Sequence, residues 1–341
     1  MTRILQAMAG APHGGAEAFF ERLAIALHHA GETQQLVIRR EPSRAARLRA
    51  VGLPVEELAF GRALDFLSAP RFAAIARAFK PRVVLTWMSR ATIYCPRGDF
   101  VHVARLGGYY DLRYYKNCDH LIGNTRALTQ WMVAEGWPES RAHYLPNFAE
   151  LAPALPVPRA SLDTPADAPL AVALGRLHPN KGFDVLLEAV AKVPGLYLWL
   201  AGEGALRAAL RRQASALGIT ERVRFLGWRQ DVGALLAAAD MLVCSSRREP
   251  LGNTIIEAWA AKKPVVACAA SGPAELIEHE KTGLLAPVDD AAALAAALRG
   301  LVGDKARAAA LAEAGHAVFE AQFSEPRVVA RYRDFLATVT R

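Results

Sequence analysis

Short apolar runs recur along this chain, and each gives way to a stretch whose apolar residues return every three or four positions. In the first half the runs are TRILQAMA, QQLVIRR, PVEELAF, VVLTWM, FVHVARL, HLIGNT and AHYLPN. Runs of this length, rich in Val, Ile and Leu and bounded by turn-forming or charged residues, predict strands. GAPHGGAEAFFERLAIALHHAG predicts a Gly loop that leads into an amphipathic helix. SRAARLRAVG, residues 65–79 and ALTQWMVAEG predict further helices. Strand and helix alternate at a spacing of roughly 20–30 residues, which predicts a parallel sheet with helices on both faces.

The pattern breaks at ELAPALPVPRASLDTPADA, residues 150–168, where Pro, Ala and Asp dominate and no period is visible. This reads as a linker. The alternation then restarts, with PLAVALGRL, YLWLAGEG, RVRFLGW, MLVCSS, PVVACAA and GLLAPV as strands. From residue 290 the chain reads as Ala-rich helix, ending in SEPRVVARYRDFLATVTR. The expected organisation is an α/β chain: a first domain over 1–150, a linker over 151–168, a second domain over 169–323 and a final helix over 324–341. A length of 341 residues fits two domains.

Composition narrows the class. An apolar fraction of 52% fills two cores, yet no apolar run reaches the roughly 18–20 residues that span a bilayer. MTRILQAMAGAPHGG lacks the apolar core and cleavage site of a signal peptide, so cytoplasmic residence is the expectation. Cys95, Cys118, Cys244 and Cys268 form no CxxC pair and read as buried thiols in a reducing compartment. The formal charge is +8, and residues 1–150 carry most of it, with 19 Lys and Arg against 13 Asp and Glu. Segment 36–82 is the source, through Arg39, Arg40, Arg44, Arg47, Arg49, Arg62, Arg71, Arg77, Lys80 and Arg82. Such a face suits an anionic membrane surface or an anionic acceptor. No nucleic-acid motif or aromatic platform accompanies it, so nucleic acid is not an expected partner.

The chemistry concentrates in SSRREPLGNTIIEAWAAKKPVVACAASGPAEL, residues 245–276. It reads as a strand end, a loop, a helix beginning near Asn253, a second strand and a loop. Asn253 and Thr254 suit a helix N-terminus because their side chains accept from the first free amides, and a Gly ahead of that terminus lets an anion approach. Glu249 on the loop and Glu257 on the helix bracket it, with seven residues between them. This spacing, with the strands on either side, resembles the Glu–seven–Glu element of retaining GT-B glycosyltransferases, family four. GRLHPNKG, residues 175–182, is similar to that family's Gly-Arg-x(4)-Lys-Gly element.

The resemblance implies two Rossmann-like domains facing a central cleft, with the last helix crossing back to the first. It implies transfer of a hexose-type sugar from a nucleotide diphosphate-sugar to a hydroxyl, with a UDP-sugar favoured over GDP- or ADP-sugars and no cofactor. By the same resemblance Arg176 and Lys181 meet the diphosphate, Glu249 the donor sugar and Glu257 the ribose. Leu251, Gly252, Asn253 and Thr254 line the donor, and Gly202, Glu203, Gly227 and Trp228 lie near the base. Gly14 and Gly15, in HGGAE, match the family's Gly-Gly element beside the donor phosphate. The departing diphosphate gathers negative charge, which Arg, Lys and helix amides oppose; with no DxD-type loop, this implies metal independence. A cell-envelope glycan or glycolipid of lipopolysaccharide type is the expected acceptor.

The first domain departs from the family, many of whose members carry a His at the end of a strand there. FVHVARLGGYYDL offers His102 within the strand, then Arg105, Gly107, Gly108, Tyr109 and Tyr110. Either His102 is in register, or the loop has lost the His and uses backbone carbonyls and tyrosines; the second is the expectation. His102, Arg105, Gly108 and Tyr109 are the acceptor-side candidates, and His13 and His178, each on a Gly- or Pro-containing loop, are other candidates for the His, though such residues are more often merely exposed. Alternatives within the fold are an epimerase, a phosphorylase or a non-catalytic nucleotide-sugar-binding protein. An oxidoreductase is disfavoured because no GxGxxG follows the first strand.

Overall fold

The structure is a computed structural model that describes residues 2–12, 14–61, 65–150 and 154–340. The chain divides into two units, Met1–Phe148 with Glu325–Arg341, and Ala149–Ser324. The first is built from β1 (Arg3–Met8), α1 (Gly15–His29), β2 (Thr33–Arg39), α2 (Pro42–Ala50), β3 (Val55–Leu58), α3 (Ser68–Phe79), β4 (Val83–Trp87), α4 (Met88–Tyr94), β5 (Val101–Leu106), β6 (His120–Gly123), α5 (Arg126–Ala134) and β7 (Ala142–Tyr144). The second contains β8 (Leu170–Leu174), α6 (Phe183–Ala191), β9 (Tyr197–Ala201), α7 (Arg207–Ala216), β10 (Val223–Gly227), α8 (Val232–Ala238), β11 (Met241–Cys244), α9 (Asn253–Ala260), β12 (Val265–Cys268), α10 (Ser271–Leu276), β13 (Leu284–Ala286), α11 (Ala291–Gly303) and α12 (Lys305–Val318). A last helix, α13 (Glu325–Val339), belongs to the first unit.

Among the described residues, every pairing between these strands is parallel, as the alternation of elements predicts. The first sheet runs β3-β2-β1-β4-β5-β6-β7 and the second β10-β9-β8-β11-β12-β13. Helices on both faces explain why central strands such as VVLTW and VVAC are buried at every position. In each sheet the order reverses beside the first strand, between β1 and β4 and between β8 and β11. Loops leaving the C-terminal ends of strands diverge there and open a crevice for a ligand.

Local chemistry sets several helix starts. Glu41, Thr125, Asp290 and Asp304 each accept an amide of the first turn of α2, α5, α11 and α12. α13 docks by an apolar stripe of Val328, Val329, Tyr332, Phe335 and Leu336, which joins the core built by α1, β1, β2 and β4. An Arg333–Glu32 ion pair at 2.9 Å flanks the stripe. Two elements depart from the sequence reading. VVLTWM stops as strand at Trp87, because Met88 turns into α4 with φ +59°. SGPAEL, read as loop, forms the short α10. No helix among the described residues is long and apolar enough to cross a membrane.

Candidate active site

The second unit collects its predicted residues at the crevice between β8 and β11. The loop after β8 carries Arg176 and Lys181, and the loop after β11 carries Glu249. Gly182 joins the two loops by close approach: its φ is +61°, and a β-carbon there would collide with the Ser245 carbonyl. Ser245 Oγ donates to the Lys181 carbonyl at 2.9 Å, and the amides of Arg247 and Arg248 both donate to the Asn180 carbonyl at 2.8 and 3.1 Å. Laced this way, the loops bring the Lys181 ammonium onto a Glu249 carboxylate oxygen, which Ser246 Oγ also meets at 3.4 Å. Lys181 and Glu249, read from the sequence as phosphate and sugar ligands, are thus each other's partners. Arg176 is exposed, and its guanidinium has no partner among the described residues.

α9 begins at the same crevice. Gly252 is its N-cap in the left-handed region, φ +92°, and no side chain caps it. Asn253 and Thr254 therefore stand inside the first turn, where the sequence reading had assigned them capping. Leu251 is buried and anchors the loop, while its backbone follows Glu249 toward the helix start. The Glu249 carbonyl accepts from the Gly272 amide at 2.8 Å, so the N-terminus of α10 backs the loop. Glu257 lies half-buried one turn into α9.

The rim continues over β9 and β10. The Gly202 amide donates to the Gly227 carbonyl at 2.7 Å, and the Leu177 amide to the Glu203 carbonyl at 2.9 Å. The Glu203 side chain pairs with Arg207, and Trp228 is 62% exposed. His178 is exposed, and its Nδ1 accepts from the Asn180 amide at 3.2 Å within its own loop.

Sequence reasoning missed the residue that fixes this geometry. Arg247 forks onto Asp184 in the first turn of α6 at 2.8 and 2.6 Å, reaches Asp289 at 2.5 Å and donates to the Pro179 carbonyl at 3.0 Å. One guanidinium thus ties together three loops of the rim, two residues before Glu249. The hydrogen bonds it donates to the Asp184 carboxylate, foremost, hold Arg247 charged, and Arg247 in turn lowers the pKa of Asp184. The partners lie 63 and 42 residues away in sequence, so no local spacing announces them. The one signal was the Arg-Arg step before Glu249.

The first unit corrects two acceptor-side assignments. His102 is buried in β5, its Nε2 3.0 Å from Thr86 Oγ1, and burial pushes its pKa down to about 4. Arg105 is 1% exposed. Its guanidinium lies 4.7 Å from the ring centroids of both Phe19 and Trp87, donates to Tyr332 Oη at 2.8 Å and to Asn147 at 2.5 Å. Both are interior residues, and neither reaches a ligand in this arrangement. Gly108 and Tyr109 remain accessible, with Tyr109 52% exposed and its ring against Trp131.

The Gly-Gly element also differs from an open anion cradle. Glu17, in the first turn of α1, folds back over Gly10 and Gly14 and accepts from the Ala11 amide at 2.7 Å. A phosphate against Gly14 would meet that carboxylate. Arg44 grips the same loop from α2, donating to the Ala11 and Pro12 carbonyls at 3.1 and 3.0 Å while paired with Glu21 at 2.8 Å. Arg44 is 1% exposed, so it is no part of a basic surface; Arg47 pairs with Glu21 and Arg49 with Glu57. His13 lies outside the described residues. Among those residues, no three His, Cys, Asp or Glu side chains form a metal-ligand set.

Two parallel units of this strand order, the second with a Lys and an exposed Arg opposite a Glu-bearing loop and an uncapped helix, are the layout of a GT-B glycosyltransferase. Residues 168–304 match the family model of group 1 glycosyl transferases. The chain is 39% identical over 331 residues to the lipopolysaccharide core biosynthesis glycosyltransferase LpsE of Rhizobium meliloti, covering 95% of this chain and 96% of that one. It is 37% identical over 326 residues to LpsD of the same organism, covering 94% of each. Anabaena HepE in complex with UDP-glucose shares the fold, with a TM-score of 0.84 at 21% identity over 99% of this chain and all of that one. The chain belongs to the group 1 glycosyltransferases, alongside these lipopolysaccharide-core enzymes.

Proposed function

We propose that this enzyme is a retaining hexosyltransferase that uses a UDP-sugar and extends a lipopolysaccharide-type core at the inner face of the cytoplasmic membrane. The observation that carries this reading is the 39% identity to LpsE along nearly the whole of both chains. The bond between the anomeric carbon and the diphosphate oxygen breaks, a bond from an acceptor hydroxyl oxygen forms, and UDP and a proton leave. Arg176, Lys181 and the amides of the first turn of α9 take up the charge that gathers on the diphosphate. Diphosphate binding draws Lys181 from Glu249 and frees that carboxylate for the hydroxyls of the donor sugar. Glu257 accepts from the ribose diol, and the base lies by Gly202, Glu203, Gly227 and Trp228. The complex of HepE with UDP-glucose supports the choice of uracil. On the acceptor side, Gly108 and Tyr109 are the accessible candidates of the first unit.

Incubation with UDP-, GDP- and ADP-hexoses and a truncated lipopolysaccharide core tests the reading. Release of UDP that depends on the acceptor is the expected result, and it persists in EDTA because protein cations face the leaving group. Turnover of a GDP- or ADP-sugar alone would overturn the base assignment. Loss on chelation that Mg²⁺ restores would overturn the proposed role of the cations.

A further inference from the structure

Gly10 and Gly14 make room for a side chain of their own unit. A β-carbon on either would collide with the Glu17 carboxylate, which lies under the loop between β1 and α1. Glu17 is 6% exposed, although Ala11, Pro12, Gly14 and Gly15 around it are exposed. Its Oε1 accepts from the Ala11 amide at 2.7 Å, and its Oε2 has no hydrogen bond or ion pair among the described residues. The buried cations at this end of the sheet are committed to other partners: Arg44 to Glu21 and to the Ala11 and Pro12 carbonyls, Arg105 to Tyr332 and Asn147. The loop after β5 closes on the same turn of α1, since a β-carbon on Gly107 would touch Ala16 at 3.7 Å. The Tyr110 ring folds back over Gly108, its Oη 4.0 Å from where a β-carbon there would stand, and burial foremost, then the Glu17 carboxylate, push its phenol up. In this sheet the order reverses between β1 and β4, and the loops that leave those strands part at this end to admit a ligand.

We propose that Glu17 is an acceptor ligand: its Oε2 accepts from a hydroxyl of an uncharged sugar unit seated against the Gly14–Gly15 and Gly107–Gly108 loops, beside the Tyr110 hydroxyl. The inference rests on the reading that the acceptor is a glycan, and it names the chemistry of the unit presented to the first sheet. A carboxylate oxygen taken out of water leaves its lone pairs unmet unless a donor arrives with the ligand. A sugar hydroxyl brings that donor, whereas a phosphate brings like charge. The absence of side chains at the four glycines lets a sugar ring approach both backbones closely. A brace for the loop would account for Oε1 alone, because one amide needs one oxygen and an uncharged side-chain amide would serve it as well.

Calorimetric binding of a delipidated, truncated core oligosaccharide to the full chain in the presence of UDP tests this. Glu17→Gln keeps an oxygen for the Ala11 amide and turns the other position from acceptor to donor. It should weaken the oligosaccharide by about ten- to a hundredfold, the loss of one hydrogen bond to a charged group, and raise the acceptor KM in parallel. UDP affinity and the unfolding midpoint should stay at their wild-type values. Inorganic phosphate should displace the oligosaccharide no more than sodium chloride of equal ionic strength. Wild-type oligosaccharide binding by Glu17→Gln would overturn the proposal. So would tighter UDP binding by that variant, which would place the donor diphosphate against the carboxylate, or displacement by phosphate, which would make the pocket an anion site. Loss of binding and a lowered midpoint in Glu17→Ala, with Glu17→Gln behaving as wild type, would reduce Glu17 to a brace for the loop. If wild type binds the oligosaccharide but releases UDP from no UDP-hexose, the functional reading fails, and the binding difference between wild type and Glu17→Gln still decides the role of Glu17. If wild type binds no oligosaccharide, the proposal falls.

Discussion

Lys181 and Glu249 neutralise one another across two loops, so removing either leaves a charge at the crevice without its partner. Lys181→Ala should lower turnover by about ten- to a thousandfold, the range for loss of one preorganised group that opposes transition-state charge. Near wild-type turnover would remove Lys181 from the diphosphate site. The two glutamates should separate by ligand. Glu257→Gln should weaken calorimetric binding of UDP, because an amide offers the ribose diol one acceptor oxygen. Glu249→Gln should bind UDP nearly normally and lose kcat, since its hydrogen bonds tighten only as positive charge grows on the sugar. The reverse pattern would exchange their roles. Arg247 acts on these residues through the backbone. Arg247→Lys keeps the charge but has no fork for Asp184 and Asp289, and kcat/KM should fall about tenfold or more with the fold intact. Unchanged kinetics would reduce Arg247 to a surface ion pair. That Glu249 sits on a loop and Glu257 on the helix after it was legible in the sequence, because that spacing is local. Arg247 was not, because its partners come from two other loops.

Among the elements, β5 shows how a strand pattern both informs and misleads. Its alternation put His102 inside the strand, where it is buried, and left Arg105 as a candidate toward the following loop, but Arg105 lies on the face that packs against α1 and α13. Its partners Tyr332 and Asn147 lie 227 and 42 residues away, so only the folded chain shows that this cation is interior. Tyr332→Phe leaves the buried guanidinium one acceptor short and should cost about 1.5–3 kcal/mol, read by urea denaturation. His102 makes a second test of the same unit. Its pKa in the folded chain, about 4, lies below the usual 6.5, so the unfolded chain binds the extra proton first as pH falls. Its contribution is complete above pH 6.5 and drains away between there and about pH 4, to a total of about 3 kcal/mol. His102→Gln should flatten that slope; an unchanged slope would place the titration elsewhere. α4 escaped the sequence reading because Trp87 and Met88 prolong the apolar run of β4, and only the positive φ of Met88 marks the turn.

For the molecule as a whole, the strand–helix alternation was enough to announce two parallel sheets, and helix periodicity announced α13. The strand order was not legible, since it depends on which buried runs pair, and the ligand crevice of the second unit follows from that order. Charge was read correctly as a sum and misplaced at one residue: Arg44 looks like surface in the sequence and is interior in the fold. The central claim is transfer of a hexose from a UDP-sugar with retention at the anomeric carbon. Proton NMR of the new glycoside, formed from α-configured UDP-hexose and purified acceptor, tests it most directly. The account predicts an axial anomeric linkage, with the small coupling of an α-glycoside in a gluco- or galacto-configured sugar, formed together with free UDP. A β-linked product, with its large trans-diaxial coupling, would contradict it.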